Sequence, residues 1–273
     1  MRVLVCFKVT PDYEALRDAD WVVGDGDAVR SRYAWRVLNC FDESALELAL
    51  RLREHVAEHG GRAEVGAVSV GGRETEPFFA TLLALGYERA ARIEPGAALD
   101  YAPEATAALL AAYARRRDRS DLLLLGCRCG PADSGTVPFF VAEELGWPCL
   151  TQVTEAVPLG DGRLRVACAA DDETLRLTVA TPCVLAIGNA PVSHLRVPTL
   201  RDRLAQRHRR PDVLTPADVG VDLADVLGAA RSALERLERL ERRRAGEVVT
   251  GRDPRELARA VLEACPHALG GPT

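Results

Sequence analysis

The chain alternates short apolar runs with amphipathic stretches through its first 153 residues. The apolar runs are of strand length and nearly continuous, as is typical of strands buried on both faces of a parallel sheet. The amphipathic stretches have the apolar spacing of helices. The pattern predicts strands at residues 3–9, 63–70, 90–93, 122–125 and 148–153, and helices at residues 43–58, 74–85, 103–116 and 138–145. This order predicts an α/β fold: a doubly wound, mostly parallel, Rossmann-like sheet with helices on both faces.

The pattern changes near residue 156. Residues 163–168, 175–179 and 184–187 predict three antiparallel strands, with turns at Asp161-Gly162 and Asp171-Asp172. Beyond residue 198 the chain is polar and rich in arginine. It predicts either an arm that packs on a partner instead of its own domain or a disordered basic tail, and the return of apolar residues at 219–226 favours the arm. We therefore expect a nucleotide-binding domain at residues 1–192 and a partner-binding region at residues 193–273.

Two helices are expected in this C-terminal region. Residues 229–244 carry leucines every three positions among glutamates and arginines, which predicts a solvated amphipathic helix. Residues 253–262 begin with Asp253 as the N-cap and Pro254 in the first turn, a strong signal for the start of a helix.

Composition excludes several classes of protein. A chain of 273 residues with 48% hydrophobic residues buries a large core, and its net charge of −5 gives no attraction to nucleic acid. The longest apolar runs are too short to span a membrane, and the N-terminus enters a strand without a secretion signal, so we expect a cytoplasmic protein without membrane insertion. Most of the eight cysteines lie in apolar patterns typical of buried thiols.

The segment with the clearest chemistry is residues 125–148. An apolar strand ends at Gly126, a loop of small and polar residues follows, and a helix begins near Pro138. Unpaired backbone N–H groups at a helix N-terminus favour an anion such as phosphate. An ordinary turn in which Ser134 or Thr136 caps the helix is the alternative, and the local pattern does not decide between the two.

Other strand ends complete a candidate pocket for adenosine. Backbone groups at Cys6 and Val70 offer paired donors and acceptors beside an apolar slot. Asn39 and Asp42 follow on the adjacent loop, where Asp42 binds ribose or caps the next helix, two roles that we rate equally. No catalytic set of residues and no metal site is recognisable, and His55 and His59 are expected to be an exposed pair without a third ligand.

Several segments resemble the electron transfer flavoprotein β subunit family. The family's nucleotide loop reads like D-[ST]-G-Q-V-G-P followed by A-E-x-L-G-[IW]-P, and residues 133–148 are similar to it. Its opening strand V-L-V-x-V-K-x-V-P-D resembles residues 3–12. Further resemblances, in the same order as in the family, cover residues 39–45, 68–72, 84–90, 215–222 and 243–246.

The resemblance implies a heterodimer with an α subunit that holds most of an FAD site. It also implies AMP in the pocket of this chain, or a second FAD in members that bifurcate electrons. The residues implied for the nucleotide are Cys6, Asn39, Cys40, Phe41, Asp42, Val70, Arg128, Ala132, Asp133, Ser134, Gly135, Thr136 and Val137.

A loop at residues 193–200 is implied to contact a flavin dehydrogenase, with Leu200 as its apolar anchor beside Leu195 and Arg196. An exposed leucine between arginines is a plausible hot spot, and a leucine that packs on the chain's own arm is the alternative. This loop departs from the family's N-E-P-R-Y motif. In the family's nucleotide loop the residues I-D come shortly before D-[ST]-G, and Gly130-Pro131 stands in their place here. These differences concern the nucleotide and the dehydrogenase more than the fold.

The leading functional hypothesis is a non-catalytic electron carrier: a β subunit that binds AMP and helps to hold FAD on the α subunit. A bifurcating β subunit with its own FAD and NADH is the second hypothesis. A stand-alone adenine-nucleotide-binding protein on the same fold is the third, because a fold alone does not fix a function.

Overall fold

The computed structural model of the protein describes residues 1–24, 28–29, 34–191, 193–230, 234–238, 248, 250–251 and 253–264. Its strands in chain order are β1 (Arg2–Cys6), β2 (Val9–Pro11), β3 (Val23–Gly24), β4 (Ala28–Val29), β5 (Arg36–Leu38), β6 (Glu64–Val70), β7 (Arg89–Ile93), β8 (Leu122–Gly126), β9 (Cys149–Pro158), β10 (Arg163–Ala170), β11 (Glu173–Ala180), β12 (Cys183–Ile187) and β13 (Asp212–Leu214). Its α-helices are α1 (Cys40–Glu58), α2 (Glu76–Ala84), α3 (Pro103–Tyr113), α4 (Val137–Leu145), α5 (Leu200–Ala205), α6 (Leu223–Ala229) and α7 (Pro254–Ala264).

The main sheet has the strand order β11-β10-β9-β12-β8-β1-β6-β7-β13. Every neighbouring pair from β9 to β13 is parallel, whereas β9, β10 and β11 pair antiparallel. The chain leaves β1 towards β6 and β7 and later returns to the other side of β1 with β8. The sheet is therefore doubly wound about β1, which confirms the expected fold class.

Two hydrophobic cores cover the two faces of the sheet. Strand β8 shows how one sequence serves both, because side chains alternate between the faces of a strand. Leu122 and Leu124 pack in the core with α1 and α2, whereas Leu123 and Leu125 pack in the core with α3 and α4. All four leucines are at most 4% exposed, which explains why the sequence of this strand is a continuous apolar run.

The prediction for residues 184–187 was wrong in direction. Strand β12 lies between β8 and β9 and pairs in parallel with both. All five of its residues are buried, the pattern of a central strand rather than of an exposed ribbon. The antiparallel set consists instead of β9, β10 and β11, and β9 belongs to both arrangements because its first half pairs with β12 and its second half with β10.

Residues 193–230 contact the chain's own domain more than the arm prediction allowed. Strand β13 adds a parallel strand beside β7, and Leu214 and Val219 are buried in the core of α3. Val219, Val221 and Leu223, three of the apolar residues that favoured an arm over a tail, therefore pack within this chain. Packing of the remaining surface on a partner stays a prediction. By its internal contacts the chain divides at residues 237 and 238, into units of residues 1–237 and 238–273.

The C-terminal helices have separate outcomes. Helix α7 confirms the prediction for residues 253–262, since the Asp253 carboxylate accepts the Arg255 N–H at 3.0 Å. The helix expected at residues 229–244 lies mostly outside the described residues. Helix α6 ends at Ala229 because Ala230 is extended (ψ 136°), and the described residues 234–238 are not helical.

Candidate functional site

A cavity of about 1270 Å³ lies at the carboxyl ends of the central strands. Cys6 at the end of β1, Val70 at the end of β6 and Gly126 at the end of β8 all line it. Strands β6 and β8 flank β1, so the cavity lies where the winding of the sheet reverses. Open α/β sheets bind ligands at this position because the loops on the two sides diverge there and leave a crevice.

Asp42 ties two of these strand ends to the first turn of α1. Its carboxylate accepts the Lys8 N–H at 2.9 Å and the Gly126 N–H at 2.6 Å. The side chain is buried, and burial raises its pKa to about 6, although the two backbone hydrogen bonds oppose that rise. Asp42 does not cap α1, which begins at Cys40, earlier than expected. Its carboxylate instead fixes the floor of the cavity.

The residues around Asp42 pack closely on the loop after β8. The Asn39 side chain donates from Nδ2 to the Arg128 carbonyl at 2.8 Å. A Cβ on Gly126 would lie 2.5 Å from Asp42 Oδ1 and 2.8 Å from Phe41 Cβ, so this position has no room for a side chain. The structure thus brings residues 39–42 and 126–128 together. Of residues 39–42 only Asp42 lines the cavity, and Cys40 is exposed.

We call residues 127–136 the nucleotide loop, after the role that the resemblance implies for them. The Asp133 N–H donates to the Cys129 carbonyl at 3.0 Å, and Asp133 and Gly135 both have positive φ angles of 47° and 66°. Gly135 meets this requirement without strain because it has no Cβ. The hydroxyls of Ser134 and Thr136 lie 3.0 Å apart and bind each other. The loop is therefore shaped mainly by its own backbone and its short polar side chains.

The nucleotide loop ends in a cradle of amides. Within the described residues, the backbone N–H groups of Ser134, Gly135 and Val137 have no protein acceptor. All three residues line the cavity, and Val137 is the first residue of α4, at the positive end of the helix dipole. Such a cradle suits a phosphate group. A side-chain cap on α4, the alternative from the sequence, is not present.

The remaining implied residues lie close to this cradle. Arg128 and Ala132 line the cavity, whereas Asp133 and Thr136 do not. Arg128 Nη1 lies 3.8 Å from Asp133 Oδ2, and both side chains are more than half exposed. This pair is therefore at the solvent edge of the loop.

The lining of the cavity also includes an apolar set of side chains. Val70, Leu99, Leu110 and Leu125 line it, next to the backbone of Gly71. An adenine ring fits such a wall, because its faces are apolar and its edge needs backbone donors and acceptors. The cavity thus combines apolar side chains with unpaired backbone N–H groups, the two kinds of contact that an adenine nucleotide makes.

The thiols at the site are not set up as nucleophiles. Burial raises the pKa of Cys6, Cys127 and Cys129 above the ordinary value. A thiol is reactive as a thiolate, so these cysteines stay protonated at neutral pH. Away from the site, His59 Nδ1 bonds the His55 carbonyl at 2.8 Å, and the part of the chain that is described shows no group of three side chains able to hold a metal.

The segment of residues 193–200 is held against α1 by ion pairs. The Leu195 and Arg196 N–H groups donate to Glu43 and Glu47, each at 3.1 Å. The Arg196 guanidinium binds Glu47 at 2.7 Å and also contacts Glu54. Leu195 packs against the α1 core, whereas Leu200 is 72% exposed. The alternative in which Leu200 packs on the chain's own arm is thus not supported.

Several residues of the cavity were not singled out from the sequence. Lys8, Tyr13 and Arg36 line it, as does the loop of residues 94–101 between β7 and α3. Lys8 carried the one available signal, since it is the single lysine of the chain and follows a strand that ends at the site. The loop at 94–101 has no motif, and only the sheet order brings it to the nucleotide loop.

These features define a class: a doubly wound α/β protein with a cavity at the switch point of its sheet. Residues 31–202, well over half of the chain, match the family model described as the electron transfer flavoprotein domain. The chain therefore belongs to the electron transfer flavoprotein domain family. No helix among the described residues has the length and apolar character needed to cross a membrane.

Curated relatives match along nearly the full length. The chain is 29% identical over 266 residues, 96% of each chain, to "Putative electron transfer flavoprotein subunit YgcR" of Escherichia coli (strain K12). It is 26% identical over 251 residues to the electron transfer flavoprotein subunit beta of Mycobacterium bovis, covering 91% of this chain and 92% of the relative. The same values hold for the subunit of that name from Mycobacterium tuberculosis.

Proposed function

We propose that this chain is the β subunit of a heterodimeric electron transfer flavoprotein that binds AMP in its cavity. The observation that carries the proposal is the amide cradle of Ser134, Gly135 and Val137, which opens on a cavity with an apolar wall. The cradle binds a phosphate, and Val70 and Leu125 contact the adenine. The family and the relatives named as β subunits support this assignment.

The same proposal assigns the FAD mainly to an α subunit. When bound there, FAD supplies the redox chemistry, and this chain contributes a rigid nucleotide-binding domain that helps to enclose it. The raised pKa values of Cys127 and Cys129 support a role without covalent catalysis by this chain. The protein then acts as an electron carrier between a dehydrogenase and a downstream acceptor in the cytoplasm.

The decisive experiment is a count of bound nucleotides. The chain is co-expressed with its α subunit, and the purified heterodimer is denatured. The released nucleotides are separated by chromatography, identified by mass spectrometry and quantified. We expect one FAD and one AMP per heterodimer. ATP without any flavin would contradict the electron-carrier function and support a stand-alone adenine-nucleotide-binding protein.

One observation favours a second candidate, a bifurcating β subunit with its own FAD. The cavity volume of about 1270 Å³ exceeds the roughly 300–1,000 Å³ typical of small-ligand pockets, and so leaves room for more than a mononucleotide. Two FAD and no AMP per heterodimer would establish this candidate in place of the first.

The phosphate position has its own test at Thr136, the residue before α4. An aspartate there adds a negative charge beside the cradle but remains compatible with the start of a helix. We expect Thr136→Asp to weaken AMP binding by about tenfold or more at unchanged thermal stability. The matched neutral variant Thr136→Asn is expected to bind AMP within about threefold of wild type. Equal AMP affinity of the two variants would place the phosphate elsewhere.

We further propose that Leu200 contacts the client dehydrogenase. The support is its 72% exposure at the start of α5, next to a segment whose geometry is fixed by Arg196. Leu200→Ser is expected to slow electron transfer from that dehydrogenase by about tenfold, as for a buried apolar hot spot. Leu204→Ser, on the same helix and 52% exposed, is the matched control. An equal loss in both variants would contradict a specific anchor at Leu200.

A further inference from the structure

The side chain of Lys8 joins two loops on different sides of the cavity. Its Nζ donates to Asp100 Oδ1 at 3.1 Å and to the Gly130 carbonyl at 3.1 Å. Asp100 belongs to the loop between β7 and α3, and Gly130 belongs to the nucleotide loop. Lys8 and Asp100 both line the cavity. A single ammonium group thus connects the two loops.

Hydrogen bonds hold the backbone of Lys8 in place, so its side chain starts from a fixed position. The Lys8 N–H donates to Asp42 at 2.9 Å, and its carbonyl accepts the Asn39 N–H at 3.1 Å. The Lys8 and Asp100 side chains are 35% and 51% exposed, which places their ion pair at the solvent edge of the cavity. The pair is therefore positioned where a ligand enters or leaves.

The strength of this bridge suits a contact that opens and closes. A partly exposed ion pair is a weak contact, and the hydrogen bond to the Gly130 carbonyl strengthens it only modestly. Thermal motion therefore opens the bridge readily, at a cost that changes a rate by roughly three- to tenfold.

We propose that Lys8 is a clasp over the nucleotide cavity, whose bridge between Asp100 and the nucleotide loop opens each time a nucleotide enters or leaves. This inference rests on the proposed nucleotide-binding function. It assigns Lys8 a positioning role that sets the rate of nucleotide exchange.

A direct contact of Lys8 with the phosphate is the competing explanation, and Asp100 separates the two. If Lys8 mainly binds phosphate, loss of the competing Asp100 charge frees the ammonium for the ligand and slows release. If Lys8 is a clasp, loss of Asp100 opens the cavity and speeds release. Asp100→Asn therefore changes the dissociation rate in opposite directions under the two explanations.

The test measures release of a fluorescent ribose-labelled AMP analogue from the heterodimer in a stopped-flow chase with unlabelled AMP. We expect Lys8→Met and Asp100→Asn each to speed release by about three- to tenfold, and the double variant to be no faster than Lys8→Met. Asp172→Asn removes the same charge from an exposed turn as a control. Release from Asp100→Asn that is slower than wild type, or equal to it, would overturn the clasp.

A second measurement does not depend on the ligand. Because Lys8 is the single lysine of the chain, acylation by an N-hydroxysuccinimide ester is read from one peptide by mass spectrometry. We expect Asp100→Asn to speed acylation of Lys8 by severalfold in the nucleotide-free heterodimer. If the analogue does not bind wild type, the proposed function fails, and the acylation rate still decides about the bridge: an unchanged rate overturns it.

Discussion

The nucleotide loop is attached at Asn39, the N-cap of α1, and the segment of residues 193–200 is attached along α1 itself, but by different chemistry. The nucleotide loop is held through backbone groups: its own amides and carbonyls, and the two carbonyls bound by Asn39 and Lys8. The 193–200 segment is held largely through the charges of Arg196 and Glu47. A loop held by its backbone tolerates changes of side chain, whereas a segment held by ion pairs depends on particular residues. This explains how Gly130-Pro131 can differ from the family pattern in a loop that still forms the cradle.

The largest expected effect comes from Arg196, which forms the ion pairs between the 193–200 segment and α1. Arg196→Met leaves Glu47, only 3% exposed, without its main partner, so we expect the free energy of unfolding to fall by about 3 kcal/mol. Urea denaturation measures it. Arg201→Met, at an exposed site on α5, is the control and should change little. Equal shifts in the two variants would show that the segment is not held by ion pairs.

The next effect is a difference between Asp42 and Glu47 in how their contributions to stability depend on pH. The pKa of Asp42 is raised from 3.8 to about 6, so the unfolded state ionises first as pH rises, and the stability contributed by Asp42 falls between about pH 4 and pH 6. The expected fall is up to about 3 kcal/mol. Burial opposes the charge of Glu47, but hydrogen bonds from Arg196 outweigh it and lower its pKa from 4.5. Its contribution is therefore present above pH 4.5 and is lost as pH falls below that value.

Unfolding free energies of wild type, Asp42→Asn and Glu47→Gln from pH 3 to pH 7 check both signs. The stability difference between wild type and Asp42→Asn should shift against wild type as pH rises from 4 to 6. The difference between wild type and Glu47→Gln should grow in favour of wild type as pH rises from 3 to 5. The same trend in both comparisons would contradict the assignment of opposite pKa shifts.

A smaller effect is expected at Gly126, where the end of β8 contacts Asp42 of α1. A Cβ there would lie 2.5 Å from Asp42 Oδ1 and 2.8 Å from Asn39 Nδ2, so Gly126→Ala is expected to cost about 2 kcal/mol through forced shifts. Gly228→Ala, in α6 with open space around it, is the control and should be neutral or slightly stabilising. Similar thermal midpoints for the two variants would show that Asp42 and Asn39 shift at little cost to accommodate a Cβ at residue 126.

The smallest effect is expected at the one ion pair of the nucleotide loop, Arg128 with Asp133. Both side chains are more than half exposed and the atoms lie 3.8 Å apart, so Arg128→Ala should change the free energy of unfolding by less than about 0.5 kcal/mol. Chemical denaturation tests this. A loss as large as that of Arg196→Met would mean that side-chain charges hold both regions, which would remove the contrast between them.

Much of the fold was predictable because it depends on local pattern. Continuous apolar runs identified the buried strands, and α4 begins one residue before Pro138, the position expected for its start. The direction of β12 was not predictable in this way. A short apolar run is compatible with either strand direction, and its place between β8 and β9 is decided by pairing over a long sequence distance.

The candidate site was likewise predictable only in part. The strand ends and the nucleotide loop were singled out from sequence and resemblance, and the structure places them around one cavity. The roles of Asp42 and Lys8 were not found. A carboxylate near a helix start looks like a cap or a ribose ligand. Only the structure shows that Asp42 binds the N–H groups of Lys8, just after β1, and of Gly126, the last residue of β8.

The sequence by itself determined the alternation of strands and helices, the loop with its helix start, and the family. These follow from hydrophobic periodicity and from backbone requirements that act within a few residues. Only the tertiary structure decided which distant groups meet: Arg196 with Glu47, and Lys8 with Asp100 and Gly130. The physical reason is that such contacts join residues roughly 90 to 150 positions apart, so they depend on the order of strands in the sheet and leave no periodic signal along the chain.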